Sequence, residues 1–201
     1  MARVKAFLTG FVLLLAAAAC GGGEPTIAAG DIARIMPSAT DAPPATQLRT
    51  SGLGPQTLDE FVSDEAVRDR LRTLGFRLAY VASFATGDFP EDPSTAAVGA
   101  TLYSASVVVV RDAEAAGRAL RFYEERLKTR AKDLTPVIAT QLGGDVFAFR
   151  FSALEGAQLP GLAYLWRVGN ALFSVVGVGN PGPDPEATRR LADLINRRAL
   201  A

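Results

Sequence analysis

The strongest constraint on the fold is the stretch GLAYLWRVGNALFSVVGVG, which spans residues 161–179. Two apolar segments rich in β-branched and aromatic residues flank Gly169-Asn170, a pair typical of a two-residue hairpin turn. We expect positive φ angles at both turn residues, because a tight turn of this kind requires them. Strands joined by so short a turn pair in the antiparallel direction, so the sequence predicts an antiparallel sheet.

The other predicted elements lie on either side of this hairpin in the sequence. FRLAYVASFA alternates as a strand with one apolar face does, and VGATLYSASVVVV is a β-branched run typical of a well-buried strand. TPVIATQLGGDVFAFRFSA predicts another hairpin, which turns near its two glycines. Three segments with helical periodicity begin at capping residues: Thr57, Asp112 and Asp184.

These elements follow one another in the order α-β-β-α-β-β-β-β-α. The first helix is predicted over 57–74, and the last begins at Pro185. We expect an α+β domain in which helices pack on one face of a largely antiparallel sheet of about six strands. Hydrophobic residues make up 49% of the chain, which is enough apolar material to fill the core of such a domain.

The first twenty residues have the layout of an export signal. Arg3 and Lys5 precede an apolar run over 6–19 that is too short to cross a bilayer. The letters AAAC at 17–20 resemble the lipobox of bacterial lipoproteins. The resemblance implies that the signal is cut before Cys20 and that the cysteine thiol is diacylated. The alternative is an ordinary signal peptide, cut by the usual peptidase, in which Cys20 is incidental.

The lipoprotein interpretation divides the chain into three parts. Residues 1–19 are the predicted signal peptide, and 20–30 are the lipidated cysteine with a flexible tether. Residues 31–201 form a single domain that faces the extracytoplasmic side of a bacterial cell envelope. Two or three acyl chains such as palmitate anchor a protein stably, because each buried CH₂ contributes about 0.8 kcal/mol. The membrane is therefore the first predicted partner.

The missing residue types argue against several kinds of chemistry. The chain has no histidine, so it has no Ser-His-Asp or Cys-His arrangement, and its single cysteine is the predicted lipid site. We therefore expect no metal site, no cofactor and no enzymatic activity. Within the predicted loops the only tight acidic cluster is Asp88, Glu91 and Asp92, which we interpret as a solvated turn. The 21 basic and 21 acidic residues balance, which gives no general attraction to nucleic acid.

The order of elements and four segments carry a broader resemblance. The segments are LGFRLAYVASF, RDAEAAGRALRFYEERL, LWRVGNALFSVVGVG and PEATRRLADLINRRA. Together they resemble a broad group of bacterial lipoproteins and extracytoplasmic sensor-like domains, some of which have the Mog1/PsbP-like α+β architecture. The resemblance covers residues 31–200 and implies a fold without an activity, because its motifs are structural and no functional residue carries over.

Two groups of side chains are candidates for a binding site. Aromatic residues on the predicted strands indicate an apolar ligand pocket between sheet and helices: Phe147, Phe149, Phe151 and Trp166. If neighbouring strands bring them together, two arginines form a basic patch that holds a carboxylate or phosphate: Arg150 and Arg167. Core packing of the aromatic rings and solvation of the arginines are the alternatives.

The leading hypothesis for the function is a non-catalytic binding or protein-interaction domain. An envelope protein is then the partner, and loops 86–97 and 152–161 make the contact. The alternative is a carrier or sensor of a hydrophobic small molecule or lipid. An apolar cavity of a few hundred Å³ favours the carrier. A filled core with an exposed apolar patch favours the interaction domain.

Overall fold

The computed structural model describes residues 24–155 and 158–201. The predicted signal peptide, Cys20 and residues 21–23 lie outside these ranges. The helices are α1 (Ile32–Ile35), α2 (Leu58–Phe61), α3 (Glu65–Thr73), α4 (Ala113–Arg130) and α5 (Pro185–Leu200). The strands are β1 (Gln47–Gln56), β2 (Leu78–Ala85), β3 (Thr101–Val109), β4 (Ala131–Lys132), β5 (Thr135–Pro136), β6 (Val146–Phe151), β7 (Ala153–Leu154), β8 (Gly161–Val168) and β9 (Ala171–Gly179). None of these helices is both long and apolar enough to cross a membrane.

Seven strands form one antiparallel sheet in the order β1-β2-β3-β9-β8-β6-β5, and β4 pairs with β7 separately. The α+β class and the antiparallel sheet are therefore confirmed. The main strand that the sequence did not predict is β1, which pairs with β2 at one edge of the sheet. Its register shifts between Arg49 and Gly54, and such an irregular, glycine-containing strand has no clean apolar alternation.

Helices cover both faces of the sheet, so the prediction that they pack on one face is wrong. Along β8, Tyr164 and Trp166 belong to the core that includes α5, whereas Ala163 and Leu165 belong to the core that includes α4. The central strands β3 and β9 alternate between the two cores in the same way. Strands that are apolar on both faces must be covered on both faces.

The helix predicted over 57–74 is two helices, α2 and α3. The capping box of Thr57 and Glu60 begins α2, as its sequence pattern indicates. Val62 then takes an extended conformation with φ of −133°. Asp64 begins α3 by accepting a hydrogen bond from the N–H of Val67 at 3.1 Å. The extended residue Val62 therefore divides the predicted helix into two short helices, although the apolar positions of both follow one helical spacing.

The β8–β9 turn differs from its prediction in one residue. Gly169 has a positive φ of 54°, but Asn170 does not. A positive φ at the first central residue alone is the pattern of a type II′ turn, which glycine favours at that position. Asn170 is buried, and its side chain accepts a hydrogen bond from the N–H of Ile27 at 2.7 Å. The asparagine therefore holds a distant segment as well as the turn.

That distant segment, Glu24 to Ile27, is called the N-terminal segment below. Ile27 is only 6% exposed and belongs to the α5 core. The amide of Asn170 also donates to the carbonyl of Ile27 at 3.3 Å, so both backbone groups of this residue are paired. Within the tether predicted over 20–30, the described residues from Glu24 to Ile27 are therefore attached to the domain, whereas residues 20–23 lie outside the described ranges.

A substitution at Gly169 tests how much the packing of the N-terminal segment contributes to stability. A Cβ at this position would lie 1.5 Å from the carbonyl oxygen of Pro25. We expect Gly169→Ala to lower the free energy of unfolding by about 2 kcal/mol or more, because the side chain adds a clash to a backbone that favours glycine. Urea denaturation measures the change.

Gly99→Ala is the matched control, because Gly99 also has a positive φ, 94°, but nothing lies within 4 Å of the Cβ that it would add. We expect the control to lower the free energy of unfolding by about 1 kcal/mol, which is the effect of backbone strain alone. Equal stability of the two variants would show that the N-terminal segment does not pack against the turn.

Candidate functional site

A cleft of about 370 Å³ lies between α4, the α2–α3 segment and one face of the sheet. Most of its lining is apolar and includes Phe61, Val67, Leu127, Ala163, Leu165 and Val176. Its floor comes from the central hairpin, where β8 pairs with β9 in a register that places Ala163 opposite Val176 and Leu165 opposite Ser174. The hairpin that dominates the sequence therefore also forms the floor of the cleft.

The packing of α4 explains why the cleft is open. The fully buried residues of this helix lie in its first half and are mostly small: Ala115, Ala116, Ala119 and Leu120. Alanines let a helix approach a sheet closely. In the second half, the larger Tyr123 and Leu127 face the sheet and are only partly buried. Beneath them, Ala163 and Ser174 are too small to fill the space, so a cleft remains.

An ion-pair cluster stands at the mouth of the cleft. One oxygen of Asp64 caps α3, and the other accepts hydrogen bonds from Arg126 at 2.7 Å and Arg130 at 3.0 Å. The N–H of Val67 and then the guanidinium of Arg126 lower the pKa of Asp64, so it is ionised at neutral pH. The cluster joins the start of α3 to the end of α4 across the opening.

Tyr123 is the most unusual side chain of the lining. Its hydroxyl is buried and has no hydrogen-bond partner within the described part of the chain. Burial raises the pKa of Tyr123, so the hydroxyl stays protonated and remains a donor. An unpaired buried hydroxyl costs about 1–3 kcal/mol. Folding alone does not recover this cost, whereas a bound hydrogen-bond acceptor would.

The described side chains that line the cleft are suited to binding a ligand. Among the described lining residues Asp64 is the only carboxylate, and two arginines already engage it. The hydroxyl of Ser174 shares a hydrogen bond with Ser106 at 2.8 Å, and the chain has no histidine to act as a base. Within residues 24–155 and 158–201, no three carboxylates group together as a metal site requires. The geometry therefore presents an apolar surface with a charged rim.

The predicted aromatic pocket is not formed, because its members lie on two faces of the sheet. Phe147 and Phe149 pair with Leu165 and Ala163, so they share the face of the cleft floor. Phe151 is buried in the same core. None of the three phenylalanines lines the cleft, which opens over the neighbouring strands β8 and β9.

Trp166 lies on the opposite face. The register pairs it with Val146, and its ring stacks on Phe173 with centroids 5.4 Å apart. The side chain is fully buried in the α5 core. Trp166 is therefore a core residue, as the packing alternative had it, and it does not contribute to the cleft.

The predicted anion patch is not formed either. Arg150 pairs with Leu162 on the α5 face, whereas Arg167 lies on the α4 face with Leu165. The side chain of Arg167 is already engaged by two carboxylates, those of Glu24 and Asp145. These carboxylates, Glu24 first, raise the pKa of Arg167. The two arginines are therefore separated by the sheet, and one of them is neutralised.

The loops proposed for protein contact are only partly available. In 86–97, Phe89 is buried and Asp92 caps a short 3₁₀ helix, Pro93–Thr95. In 152–161, the described residues include the short strand β7 and the buried Leu159, and 156–157 lie outside the described ranges. Seven of the twelve residues of 86–97 are exposed, so protein contact through these loops stays a prediction.

The residues at the cleft mouth are the ones that sequence reasoning missed. Asp64 lies inside an apolar pattern that predicts one continuous helix over 57–74. The pair Ser63-Asp64 was the available signal, because serine and aspartate in that position favour a new N-cap over a helix interior. Arg126 and Arg130 carry no local signal, since their partner is more than 60 positions away: the Arg126–Asp64 separation is 62.

The comparisons with known proteins support the fold. No family model matches the sequence, and no curated protein matches it. Among solved structures, the chain is similar to the extracellular domain of PknH from Mycobacterium tuberculosis, with a TM-score of 0.57 and 11% sequence identity. The match covers 89% of this chain and 99% of that one. At this identity the likeness shows a shared α+β fold.

The unpaired hydroxyl of Tyr123 leads to a prediction about stability. We expect Tyr123→Phe to leave the free energy of unfolding unchanged or to raise it by up to about 1 kcal/mol, because it removes a polar group without a partner. Chemical denaturation without added ligand measures this effect.

Tyr103→Phe is the control, because the buried Tyr103 hydroxyl accepts a hydrogen bond from the N–H of Asp184 at 3.2 Å. We expect this variant to lose about 1 kcal/mol. If Tyr123→Phe loses as much, the hydroxyl of Tyr123 has a partner in the free protein and the inference is wrong.

Proposed function

We propose that this protein is a non-catalytic, extracytoplasmic binding domain, held at a membrane by lipid on Cys20, whose α4 cleft binds a small amphiphilic molecule. The cleft is the observation that carries the proposal. Its volume of about 370 Å³ falls in the range of small-molecule sites, which are concave and mostly apolar with few polar groups.

The lining indicates the character of the ligand. Ala163, Leu165 and Val176 offer an apolar floor, which suits a hydrocarbon or aromatic body. The charged groups are confined to the mouth, where Arg126 and Arg130 share the carboxylate of Asp64. A molecule with an apolar body and one polar end matches this distribution. The cleft favours the small-molecule alternative over a pure protein-interaction domain, for which a filled core is expected.

The sequence supports the location. An export signal and a lipobox-like AAAC place Cys20 at the predicted start of the mature chain. Export without disulfides suits a domain whose two apolar cores lie on the two faces of one sheet. The fold is shared with an extracellular domain, which is in line with this location.

Filling the cleft tests the binding function. Val176 is half-buried in the floor, so we expect Val176→Phe to reduce the occupancy of a copurified or added amphiphile at least tenfold while the domain stays folded. The control is Val98→Phe, the same substitution at a residue that is 82% exposed and outside the cleft. Native mass spectrometry of the exported Cys20→Ser protein measures occupancy, with decanoate as the added probe. Equal occupancy in both variants would contradict the site.

The anchor has its own test. We expect the intact mass of the membrane-extracted protein to correspond to the chain from Cys20 plus a diacylglyceryl group, with or without a further acyl chain. Cys20→Ser should remove this mass and release the protein from the membrane fraction. A cleaved chain without lipid would show that the cysteine is incidental to an ordinary signal peptide.

A further inference from the structure

The N-terminal segment is attached to the domain at its first described residues. The carboxylate of Glu24 accepts hydrogen bonds from the guanidinium of Arg167, one of them at 2.9 Å from Nη2 to Oε1. The same guanidinium donates to Asp145 at 2.8 Å, so it is held between two carboxylates. Three residues later, both backbone groups of Ile27 pair with Asn170. The position of Glu24 on the domain is thus fixed by ion pairs and by hydrogen bonds.

Only three residues separate this fixed point from the proposed lipid. Glu24 follows Cys20 after Gly21-Gly22-Gly23. Four extended residues span at most about 14 Å, because the chain advances by no more than about 3.6 Å per residue. Each interfacial layer of a bilayer is about 5–8 Å thick. A lipid on Cys20 would therefore hold Glu24 close to the headgroups.

The surface around Glu24 is formed by several loop ends, and we call it the proximal end. A groove of about 350 Å³ at this end is lined by the N-terminal segment, the 3₁₀ helix Thr140–Leu142, the β8–β9 turn and the last turns of α5. Leu200 borders the groove and is 63% exposed. Ile138 lies two residues before the 3₁₀ helix and is 85% exposed. Exposed apolar side chains gain free energy when they enter a membrane interface, because their apolar area leaves water.

We infer that the proximal end lies against the lipid bilayer, with Ile138 and Leu200 entering the headgroup region. The inference rests on the proposed lipid at Cys20. The short reach from Cys20 sets the distance, the fixed Glu24 sets the orientation, and the two exposed side chains provide the apolar contact. The domain is then seated on the membrane in one orientation.

This orientation also determines where the α4 cleft lies relative to the membrane. Gly117 and Arg121, in the first half of α4, lie beside Glu24 and Arg167. The cleft residues Arg126 and Arg130 lie further along the helix, and each residue advances the helix by about 1.5 Å. The mouth of the cleft is therefore about 14 Å further along α4 than the contact with the N-terminal segment. A ligand would enter it from the aqueous side.

The single cysteine makes the orientation measurable. Because lipid occupies Cys20, a cysteine introduced elsewhere is the only free thiol of the lipidated full-length protein. Ile138→Cys and Leu200→Cys report on the proximal end. Val98→Cys is the matched control, because Val98 is 82% exposed at the other end of β3, where Thr101 pairs with Gly179. Eight residues of strand, about 26 Å, separate that end from the β8–β9 turn.

The variants are labelled with an environment-sensitive fluorophore and reconstituted into phosphatidylcholine–phosphatidylglycerol vesicles that contain nitroxide lipids. We expect quenching at positions 138 and 200 to exceed quenching at position 98 at least threefold. Equal quenching at all three positions, in protein that floats with the vesicles, would overturn the orientation. Protein that fails to float would overturn the lipid anchor, and with it the inference.

A spacer variant tests the cause. A Gly/Ser insertion of about 12 residues between Gly23 and Glu24 adds a root-mean-square reach of about 20 Å. We expect flotation to be unchanged and quenching at position 200 to fall to the level at position 98. Quenching that persists would show that the apolar contacts, rather than the short connection, hold the proximal end on the membrane.

Discussion

The whole structure depends on a sheet whose central strands are apolar on both faces. Strands β3, β9 and β8 each send alternate residues into two separate cores. Neither core can form unless a helix covers it, so α5 and the α3–α4 pair are both required to keep the sheet out of water. The pairing of β3 with β9 joins strands that are distant in the sequence, and the sheet that it completes fixes where the helices lie.

The two faces of the sheet are covered by helices with different side chains, and this difference produces the candidate site. On one face α5 packs along β8 and β9 with buried residues from Ala187 to Ala199. On the other face α4 approaches closely only where its alanines lie, and its second half leaves a cleft over Ala163 and Val176. Because the side chains of α4 that face the sheet are small in its first half and large in its second half, the helix leaves a space over the sheet beside its second half. The ion pairs of Asp64 hold the open side.

Local signals in the sequence predicted local structure well. Capping residues gave the starts of α4 and α5, and the Gly169-Asn170 pair gave the central hairpin, because each depends on a few neighbouring residues. The faces were predicted poorly, since they depend on strand register. The pairing of Val146 with Trp166 places the tryptophan on the opposite face of the sheet from Phe147. No residue close to either of them in the sequence specifies that pairing. The residues at the cleft mouth were not predicted for the same reason. Asp64 and Arg126 are 62 positions apart in the sequence and come together only in the folded chain.

The contact between Ile27 and Asn170 also has a consequence for the order of folding. The two residues are separated by 143 positions, so closing this contact requires one of the longest loops in the domain. The turn that receives Ile27 exists only when β8 and β9 have paired, and both strands come from the last quarter of the chain. If the chain is exported from its N-terminus and anchored at Cys20, as we propose, the N-terminal segment emerges first but cannot pair until almost all of the chain has followed. We then expect the contact of Ile27 with Asn170 to be among the last native contacts that the protein makes.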